Sequence, residues 1–238
     1  MVISSIRFST RFGKLLGAAV AAAALSAAPA AQADILDFEA ELESPFMFSG
    51  SYVEMGNFWV ESYGGTQEGD LAGAVIDNDS CFSVACPVNN PSRYYTGLND
   101  GYFYFGKTDN DTFRLKNLQA SFIGAGQDSF PSVAGLLVLQ GFDAAGNAKG
   151  GAKQLALSGP TGGAFNFATY DMGAFGDSYF SFVRVLGYAC DVTGNCNRSS
   201  NLANFAIDNI NVVPEPGSFA LFGLGLLGLA AAARRRAR

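Results

Sequence analysis

The sequence predicts an all-β protein: an antiparallel β-sandwich or jelly roll, flanked by an N-terminal signal peptide and a C-terminal single transmembrane helix. Runs of β-branched and aromatic residues of strand length, such as "GYFYFG" and "GLLVLQGFD", recur along the chain. Clusters such as "GLNDG", "SGPTGG" and "CDVTGNC" separate these runs and are typical of turns. No stretch between Asp34 and Val213 keeps a 3.6-residue apolar period long enough for a helix, which excludes a doubly wound α/β fold.

Residues 1–33 have the three parts of a secretory signal peptide. A basic stretch from Arg7 to Lys14 precedes the apolar run "LLGAAVAAAALSAA", and small residues follow it. The A-x-A pattern that ends at Ala33 predicts cleavage before Asp34. The alternative is an anchor helix that stays on the protein.

Residues 34–213 form the predicted β-sandwich domain, and this length is sufficient for one complete core. About ten short strands, separated by turns at the spacing of sandwiches, are expected here. The clearest hairpin is "GLLVLQGFDAAGNAKGGAKQLALS", with its turn from Asp143 to Asn147. "ILDFEAE" and "NFAIDNINVV" are predicted to be the first and last strands, and we expect the two ends of the domain to meet.

The charge of the chain is unevenly distributed. Residues 34–213 contain 20 acidic and 8 basic residues, whereas seven of the fifteen basic residues lie near the two termini. An acidic domain repels phosphate backbones, so no nucleic-acid partner is expected. The basic termini are instead typical of membrane-topology signals.

The C-terminal segment, residues 214–238, begins with residues that end a strand. Pro214 and Pro216 cannot donate to a sheet ladder, so the last strand is expected to stop there. Residues 218–233 carry no charge and predict a transmembrane helix of about 24 Å in the inner membrane. The positive-inside rule then keeps the terminal arginines in the cytoplasm and the acidic domain outside. These arginines are Arg234, Arg235, Arg236 and Arg238.

This order of elements resembles the PEP-CTERM sorting signal, which consists of a Pro-Glu-Pro motif, a short membrane helix and an arginine cluster. Pro214, Glu215 and Pro216 form the motif here. The resemblance implies recognition by an exosortase, a membrane cysteine protease, followed by removal of the tail. It also implies transient anchoring in the inner membrane and delivery to the cell surface or extracellular space of a bacterium that makes exopolysaccharide. The alternative is a plain C-terminal anchor.

The segment before the tail resembles a PEP-CTERM subgroup whose closing strand carries Gln-Phe-x-x-Asp. Phe205 and Asp208 match that pattern, whereas Asn204 stands where the pattern has Gln. The resemblance to this subgroup implies no biochemical activity.

The four cysteines are expected to form disulfides because the protein is exported. Their spacings, C-x4-C and C-x5-C, fit zinc poorly, and the chain has no histidine to complete a zinc site. Four cysteines allow three pairings. In an oxidising compartment we predict the two local bonds, Cys81–Cys86 and Cys190–Cys196.

The absence of histidine also limits the catalytic chemistry. Ser-His-Asp and Cys-His schemes are excluded, and only carboxylate chemistry remains. The acidic pairs Asp77/Asp79 and Asp109/Asp111 offer oxygen ligands, but neither continues into an EF-hand loop. We therefore expect them to act mainly as solvated turn residues.

The domain is similar in outline to carbohydrate-binding jelly rolls, in several of which a glutamate of the opening strand and an aspartate of the closing strand hold a structural calcium ion. The resemblance implies that Glu39, or Glu41, and Asp208 would be the corresponding ligands here. No other cofactor is expected.

Aromatic side chains are candidates for stacking on sugar rings. The alternation in "YFYF" places Tyr102 and Tyr104 on one face and Phe103 and Phe105 on the other. The competing interpretation is that phenylalanines fill the core and tyrosines line a half-exposed sheet. The remaining candidates for stacking are Tyr52, Trp59, Tyr63, Tyr94 and Tyr95.

These observations predict an exported, non-catalytic protein of the cell surface or extracellular matrix, associated with exopolysaccharide. The rival hypothesis is a histidine-free polysaccharide-degrading enzyme that uses a pair of carboxylates. A third hypothesis is a structural matrix component that binds no small ligand.

Overall fold

The described residues form fourteen β-strands in two antiparallel sheets, which confirms the predicted sandwich. The computed structural model describes residues 33–64, 69–81, 84–198 and 201–215, together with Gly225 and Arg234. The strands are β1 (Asp34–Leu36), β2 (Phe46–Phe48), β3 (Ser51–Met55), β4 (Phe58–Tyr63), β5 (Leu71–Ile76), β6 (Tyr94–Gly97), β7 (Tyr102–Lys107), β8 (Phe113–Phe122), β9 (Val133–Phe142), β10 (Ala148–Ser158), β11 (Ala168–Asp171), β12 (Phe182–Cys190), β13 (Cys196–Asn197) and β14 (Phe205–Pro214).

The two sheets, called sheet A and sheet B, each contain seven strands. Sheet A has the order β11-β8-β14-β6-β5-β2, and β1 pairs with β14 beside this path. Sheet B has the order β10-β9-β12-β7-β4-β3, and β13 pairs with β12. Strands that are far apart in sequence are therefore neighbours in space, such as β7 and β12, or β6 and β14.

Two predicted local features are present in the structure. The hairpin of β9 and β10 turns between Asp143 and Asn147, where the Asp143 amide donates to the Asn147 carbonyl at 3.0 Å. The ends of the domain meet because β1 pairs with β14, with Asp34 opposite Val212. The first strand is shorter than predicted, since Phe38 adopts a positive φ of 57° and turns its ring into the core.

The core between the sheets is built by alternation along the strands. In β7, Phe103 and Phe105 point inward and are fully buried, whereas Tyr102 and Tyr104 point outward, as the sequence predicts. The Phe103 ring lies 4.4 Å from the ring of Tyr95, which comes from sheet A. Burying one such ring stabilises the fold by about 1.5–3 kcal/mol.

The outer face of sheet A is covered by the chain itself. The described residues 77–81 and 84–93 of the connection between β5 and β6, here called the covering segment, lie across this face. The Asn89 side chain accepts from the Phe167 amide at 2.6 Å and donates to the Phe167 carbonyl at 3.1 Å. A second apolar cluster therefore forms on this face, and it contains Ala74, Ile76, Tyr94, Ile123, Phe167 and Ala206.

Tyr94 and Tyr95 do not lie on a half-exposed surface, contrary to expectation. Both are fully buried, because β6 is an interior strand of sheet A with one face on the core and the other beneath the covering segment. Tyr95 shares a 3.0 Å hydrogen bond with Ser62, and Tyr94 packs edge-on against Phe167 with ring centroids 5.1 Å apart. These two rings stabilise the fold and offer no surface for a sugar.

The structure contains both predicted disulfides, Cys81–Cys86 and Cys190–Cys196. The first lies within the covering segment, and Cys86 packs against the second apolar cluster. The second joins opposed residues of β12 and β13 and closes a short hairpin.

The predicted signal peptide and membrane helix lie outside the described residues, apart from Ala33 and Gly225, so both remain predictions. Within the part of the chain that the structure describes, no helix has the length and apolar character needed to cross a membrane. The described residues of the sandwich belong to one compact unit, which includes Pro214 and Glu215 beyond the predicted boundary at Val213.

Candidate functional site

The outer face of sheet B carries a continuous band of aromatic side chains, here called the aromatic platform. Alternation along β4, β7, β9 and β12 turns these side chains away from the core, and all of them are partly exposed. Tyr52 is the most open, with 54% of its surface accessible. The platform consists of Tyr52, Trp59, Tyr63, Tyr102, Tyr104, Phe142 and Phe182.

Strand register arranges the platform in three rows across the sheet. In the first row, Trp59 and Phe182 both oppose Gly106, and Phe182 also opposes Phe142. Two residues farther along the strands, Glu61 and Arg184 both oppose Tyr104. The third row pairs Tyr63 with Tyr102. Adjacent rows are about 7 Å apart, because two residues of a strand rise by that distance.

Ring contacts connect the rows into one surface. Phe142 and Phe182 stack with ring centroids 5.0 Å apart, and Tyr104 meets Phe182 edge-on at 6.0 Å. Tyr63 stacks on Tyr102 at 5.6 Å and meets Tyr104 edge-on at 5.8 Å. Each side chain thereby restrains its neighbours, so the surface is organised without a ligand.

Gly106 determines the position of the only tryptophan in the sequence. A Cβ atom at this position would lie 2.7 Å from the Trp59 indole ring, which is closer than van der Waals contact. The absence of a side chain lets the indole lie against the backbone of β7. Trp59 then presents its remaining surface beside Tyr52, whose ring stacks on it at 6.2 Å.

Two carboxylates of the platform are oriented by tyrosine hydroxyls. The Tyr63 hydroxyl donates to Glu61 Oε1 at 2.6 Å, and this bond, together with burial, raises the pKa of Tyr63 to about 12. The Tyr52 hydroxyl donates to Glu54 Oε1 at 3.2 Å, and the pKa of Tyr52 is also raised, first by burial and then by this bond. In each carboxylate the second oxygen, Oε2, takes no part in the tyrosine hydrogen bond and can accept from a ligand hydroxyl.

Two arginines complete the polar groups of the platform. The Arg184 guanidinium lies 5.8 Å from the Phe142 ring centre, and that of Arg198 lies 5.3 Å from the Tyr102 ring centre. Arg198 also donates to the Asp100 carbonyl. The Nε atoms of both arginines are buried, and neither has a hydrogen-bond partner among the described residues. These two arginines add donors to a surface whose acceptors are Glu54 and Glu61.

The platform forms an open groove of about 520 Å³, lined by Trp59, Glu61, Tyr63, Tyr102, Tyr104, Phe142, Gly146 and Phe182. Flat rings and flanking donors and acceptors suit a ligand with apolar ring faces and hydroxyl groups at their edges. The sequence singled out Trp59, Tyr52, Tyr63, Tyr102 and Tyr104 for this role. It did not indicate Glu61, Phe142, Phe182 or Arg184. Their only local signal is that strand alternation turns their side chains away from the core.

A second polar cluster surrounds Asp208 on the covered face of sheet A. The carboxylate is fully buried and accepts from Asn90 at 2.7 Å, Ser92 at 3.2 Å and the Asn209 side chain at 2.9 Å. Its other oxygen accepts from the Asn209 amide at 2.7 Å. Asn90 and Ser92 belong to the covering segment, so this carboxylate attaches that segment to β14.

Burial, with a smaller contribution from the negative charge of Glu39, raises the pKa of Asp208 to about 6, although the hydrogen bonds from Asn90, Asn209 and Ser92 lower it. Glu39 Oε1 accepts from the Arg93 amide at 3.1 Å. Glu39 and Asp208 thus both bond to the covering segment, Glu39 to Arg93 and Asp208 to Asn90 and Ser92. However, no group of three acidic, histidine or cysteine side chains is assembled for a metal ion within the described residues.

The groups around Asp208 have one property that favours a calcium ion and one that disfavours it. A buried carboxylate without an ion-pair partner in the described chain is a favourable ligand for a hard cation. The amide groups that now donate to Asp208 would have to turn their oxygens towards the ion. Glu39 and Asp208 would hold the ion, which would neutralise their mutual repulsion. Glu41 has no contact with Asp208 among the bonds described here.

The acidic pairs act as turn residues in the structure. Asp77 caps a 3-10 turn (Asn78–Ser80) by accepting from the Ser80 amide at 2.9 Å. Asp109 accepts from the Asp111 amide at 2.9 Å and forms a 3.3 Å ion pair with Lys107.

The sorting motif begins where the sandwich ends. Pro214 is the last residue of β14 and lies opposite Phe113. The Glu215 carboxylate accepts from the Thr112 hydroxyl at 2.6 Å. Pro216 and most of the tail lie outside the described residues, including Arg235, Arg236 and Arg238.

Comparison with known proteins identifies the tail but not the sandwich. Residues 212–236 match the PEP-CTERM protein-sorting motif. The match supports a chain that an exosortase sorts for export to the cell surface or extracellular space, and it does not extend to the Gln-Phe-x-x-Asp subgroup. A search of curated proteins gives no match.

Solved structures support the fold alone. A DUF4465 family protein from Bacteroides caccae ATCC 43185 superposes with a TM-score of 0.52 and 14% identity, over 77% of this chain and 100% of that chain. A xylan-binding domain, CBM22-1, from Paenibacillus barcinonensis gives a TM-score of 0.34 and 12% identity, over 78% of this chain and 97% of that chain. The second similarity is too low to bear on function here.

Proposed function

We propose that this chain is a non-catalytic protein of the bacterial surface or extracellular matrix, and that its aromatic platform binds exopolysaccharide. The match to the sorting motif supports export, and removal of the tail by an exosortase would release the sandwich from the inner membrane. The platform is the observation that carries the binding proposal.

The composition of the platform favours a carbohydrate over a protein partner. Seven rings lie on one sheet face, and the middle row places Glu61 and Arg184 on either side of Tyr104. Sugar rings offer apolar faces for stacking and hydroxyl groups for Glu61 and Arg184. An open groove of this kind, lined by flat rings, suits a segment of a polysaccharide chain.

A non-catalytic role is proposed because the platform carboxylates are engaged in positioning hydrogen bonds. Glu61 and Glu54 each accept from a neighbouring tyrosine, which orients them towards binding. Addition of soluble exopolysaccharides to the protein should therefore release no reducing sugar. Release that disappears in Glu61→Gln would replace this proposal by the hydrolase hypothesis.

Binding can be followed through Trp59, because it is the only tryptophan. Titration with polysaccharide from the producing bacterium should change its fluorescence. Tyr104→Ala, in the middle row, should weaken binding by about thirtyfold, since a central aromatic contact contributes about 2 kcal/mol.

Tyr179→Ala is the matched control for this experiment. Its ring also lies against an arginine, Arg114, at 5.1 Å, but that arginine belongs to β8 of sheet A. This variant should bind like the wild type. Equal loss in both variants, or no binding by the wild type on a broad glycan array, would contradict the proposal.

The sorting part of the proposal has its own measurement. Intact mass spectrometry of the protein from culture medium should give a chain from Asp34 to the Pro214–Pro216 region, lighter by four hydrogens for the two disulfides. A chain that keeps its arginine cluster in the membrane fraction would indicate a tail-anchored envelope protein instead.

A further inference from the structure

Both ends of the sandwich lie together at the C-terminal end of β14, an interior strand of sheet A. Asp34, the residue that follows the predicted signal-peptide cleavage, begins β1 and lies opposite Val212 of β14. Strand β14 continues to Pro214, the first residue of the sorting motif. The folded domain therefore reaches both places where the chain is expected to be cut.

The loop between β7 and β8 contacts both ends. At the start of this loop, Lys107 is almost fully buried and its Nζ lies 3.4 Å from Asp34 Oδ2. At its end, the Thr112 hydroxyl donates to Glu215 Oε2 at 2.6 Å, and the Glu215 amide donates to the Thr112 carbonyl at 3.2 Å. Glu215 is thus bonded to the sandwich through both its backbone and its side chain.

These bonds involve the central residue of the sorting motif. A protease binds its substrate as an extended segment whose backbone groups are unpaired, so residues bonded to a folded domain must first be released. The rate of cleavage then follows the population of the locally open state when opening is fast. Every bond that keeps Glu215 on the sandwich lowers that population.

We infer that Thr112 is a positioning residue for tail processing: its hydroxyl holds Glu215 against the folded sandwich and slows removal of the tail. This inference rests on the sorting part of the proposed function. This one bond contributes a large share of the free energy of local opening at Glu215. The reason is that Pro214 has no amide hydrogen to donate and the strand ends there.

The experiment compares tail removal in four versions of the full-length chain, expressed in the native bacterium with its own exosortase. After pulse labelling, the tail-bearing and tail-free forms are separated by mass over time. Thr112→Val removes the hydroxyl and keeps the shape, whereas Thr112→Ser keeps the hydroxyl. Thr108→Val is the matched control, because the Thr108 hydroxyl belongs to the same loop but donates to the Asn57 carbonyl at 3.3 Å.

We expect the tail to be removed about two- to fivefold faster from Thr112→Val, as the loss of one solvent-exposed side-chain hydrogen bond predicts. Thr112→Ser and Thr108→Val should match the wild type. Melting temperatures of the processed forms show whether the sandwich is intact, and the serine variant shows whether the hydroxyl is responsible.

The other outcomes are distinguishable. Equal or slower processing of a folded Thr112→Val chain would overturn the inference, and so would equal acceleration in Thr108→Val. Failure of the wild type to lose its tail would instead contradict the sorting part of the proposed function.

Discussion

The outer faces of the two sheets carry similar aromatic side chains, but one face is covered by a connecting segment and the other is exposed. On sheet A, Tyr94 lies beneath the covering segment, packed against Phe167. On sheet B, the side chains of Tyr102 and Tyr104 also point away from the core of the sandwich, and they remain partly exposed. The chain thus uses one of its long connections to bury the first aromatic face and leaves the second one open.

The polar groups of the two faces show the same difference. Asp208 is buried, and its oxygens accept from the covering segment and from Asn209, so it is satisfied within the fold. Glu61 lies on the open face and accepts from the Tyr63 hydroxyl through one oxygen, so its second oxygen is free of that bond. A contiguous exposed aromatic face flanked by charged groups is typical of a binding surface. We therefore assign stability to the covered face and binding to the open one.

The largest expected effect separates the two faces by stability. Tyr94→Ala leaves a cavity beneath the covering segment and should lower the free energy of unfolding by about 3–4 kcal/mol. Tyr104→Ala removes a partly exposed ring and should cost about 1 kcal/mol or less. Urea unfolding of both variants with the disulfides intact measures the difference. Similar losses at the two positions would show that the open face is as structural as the covered one.

The second prediction concerns the pH dependence of the covered face. The folded pKa of Asp208, about 6, lies above its ordinary value of 3.8, so the folded state binds more protons between those values. Stability should therefore fall as pH rises from 4 to 7, with Asp208 contributing about 1–2 kcal/mol of the fall. Thermal unfolding in EDTA should show a weaker pH dependence for Asp208→Asn. Identical pH profiles would mean that the carboxylate is not buried in solution.

The third prediction tests the geometry of the open face through Gly106. In Gly106→Ala the new methyl group displaces the Trp59 indole, so its emission should shift to longer wavelength and polysaccharide affinity should fall about tenfold. Gly151→Ala is the control, because a Cβ there, on β10 of the same sheet, meets no atom within 4 Å. An unchanged emission spectrum in Gly106→Ala would indicate that the indole does not lie on this glycine.

The smallest expected effect is that of calcium. Binding between Glu39 and Asp208 should offset their repulsion and raise the melting temperature at pH 7 relative to EDTA. The expected rise is about 2–4 °C, equivalent to about 1 kcal/mol for a domain of this size. Glu39→Gln should abolish the rise, and magnesium should not reproduce it. If calcium leaves the melting temperature of the wild type unchanged, the calcium hypothesis is wrong and the cluster is held by hydrogen bonds alone.

Local sequence signals predicted the parts of the fold that depend on neighbouring residues. The turn from Asp143 to Asn147, the alternation in β7 and both disulfides involve residues close together in the chain. The same signals misplaced Tyr94 and Tyr95, because the burial of β6 depends on a connection that crosses the sheet. They also missed Phe142 and Phe182 as members of the platform, and Arg184 beside it.

By itself, the sequence determined the β class, the sorting motif and the exclusion of histidine chemistry, and it predicted the hairpin of β9 and β10 and the local cysteine pairs. Each of these follows from composition or from residues a few positions apart. Only the tertiary structure decided which aromatic face is open, how Asp208 and Glu39 approach each other, and how Thr112 holds Glu215. Those relations depend on strand order, which brings β12 between β9 and β7 and places β1 beside β14. Strand order arises from burial summed over the whole domain, and no local pattern encodes it.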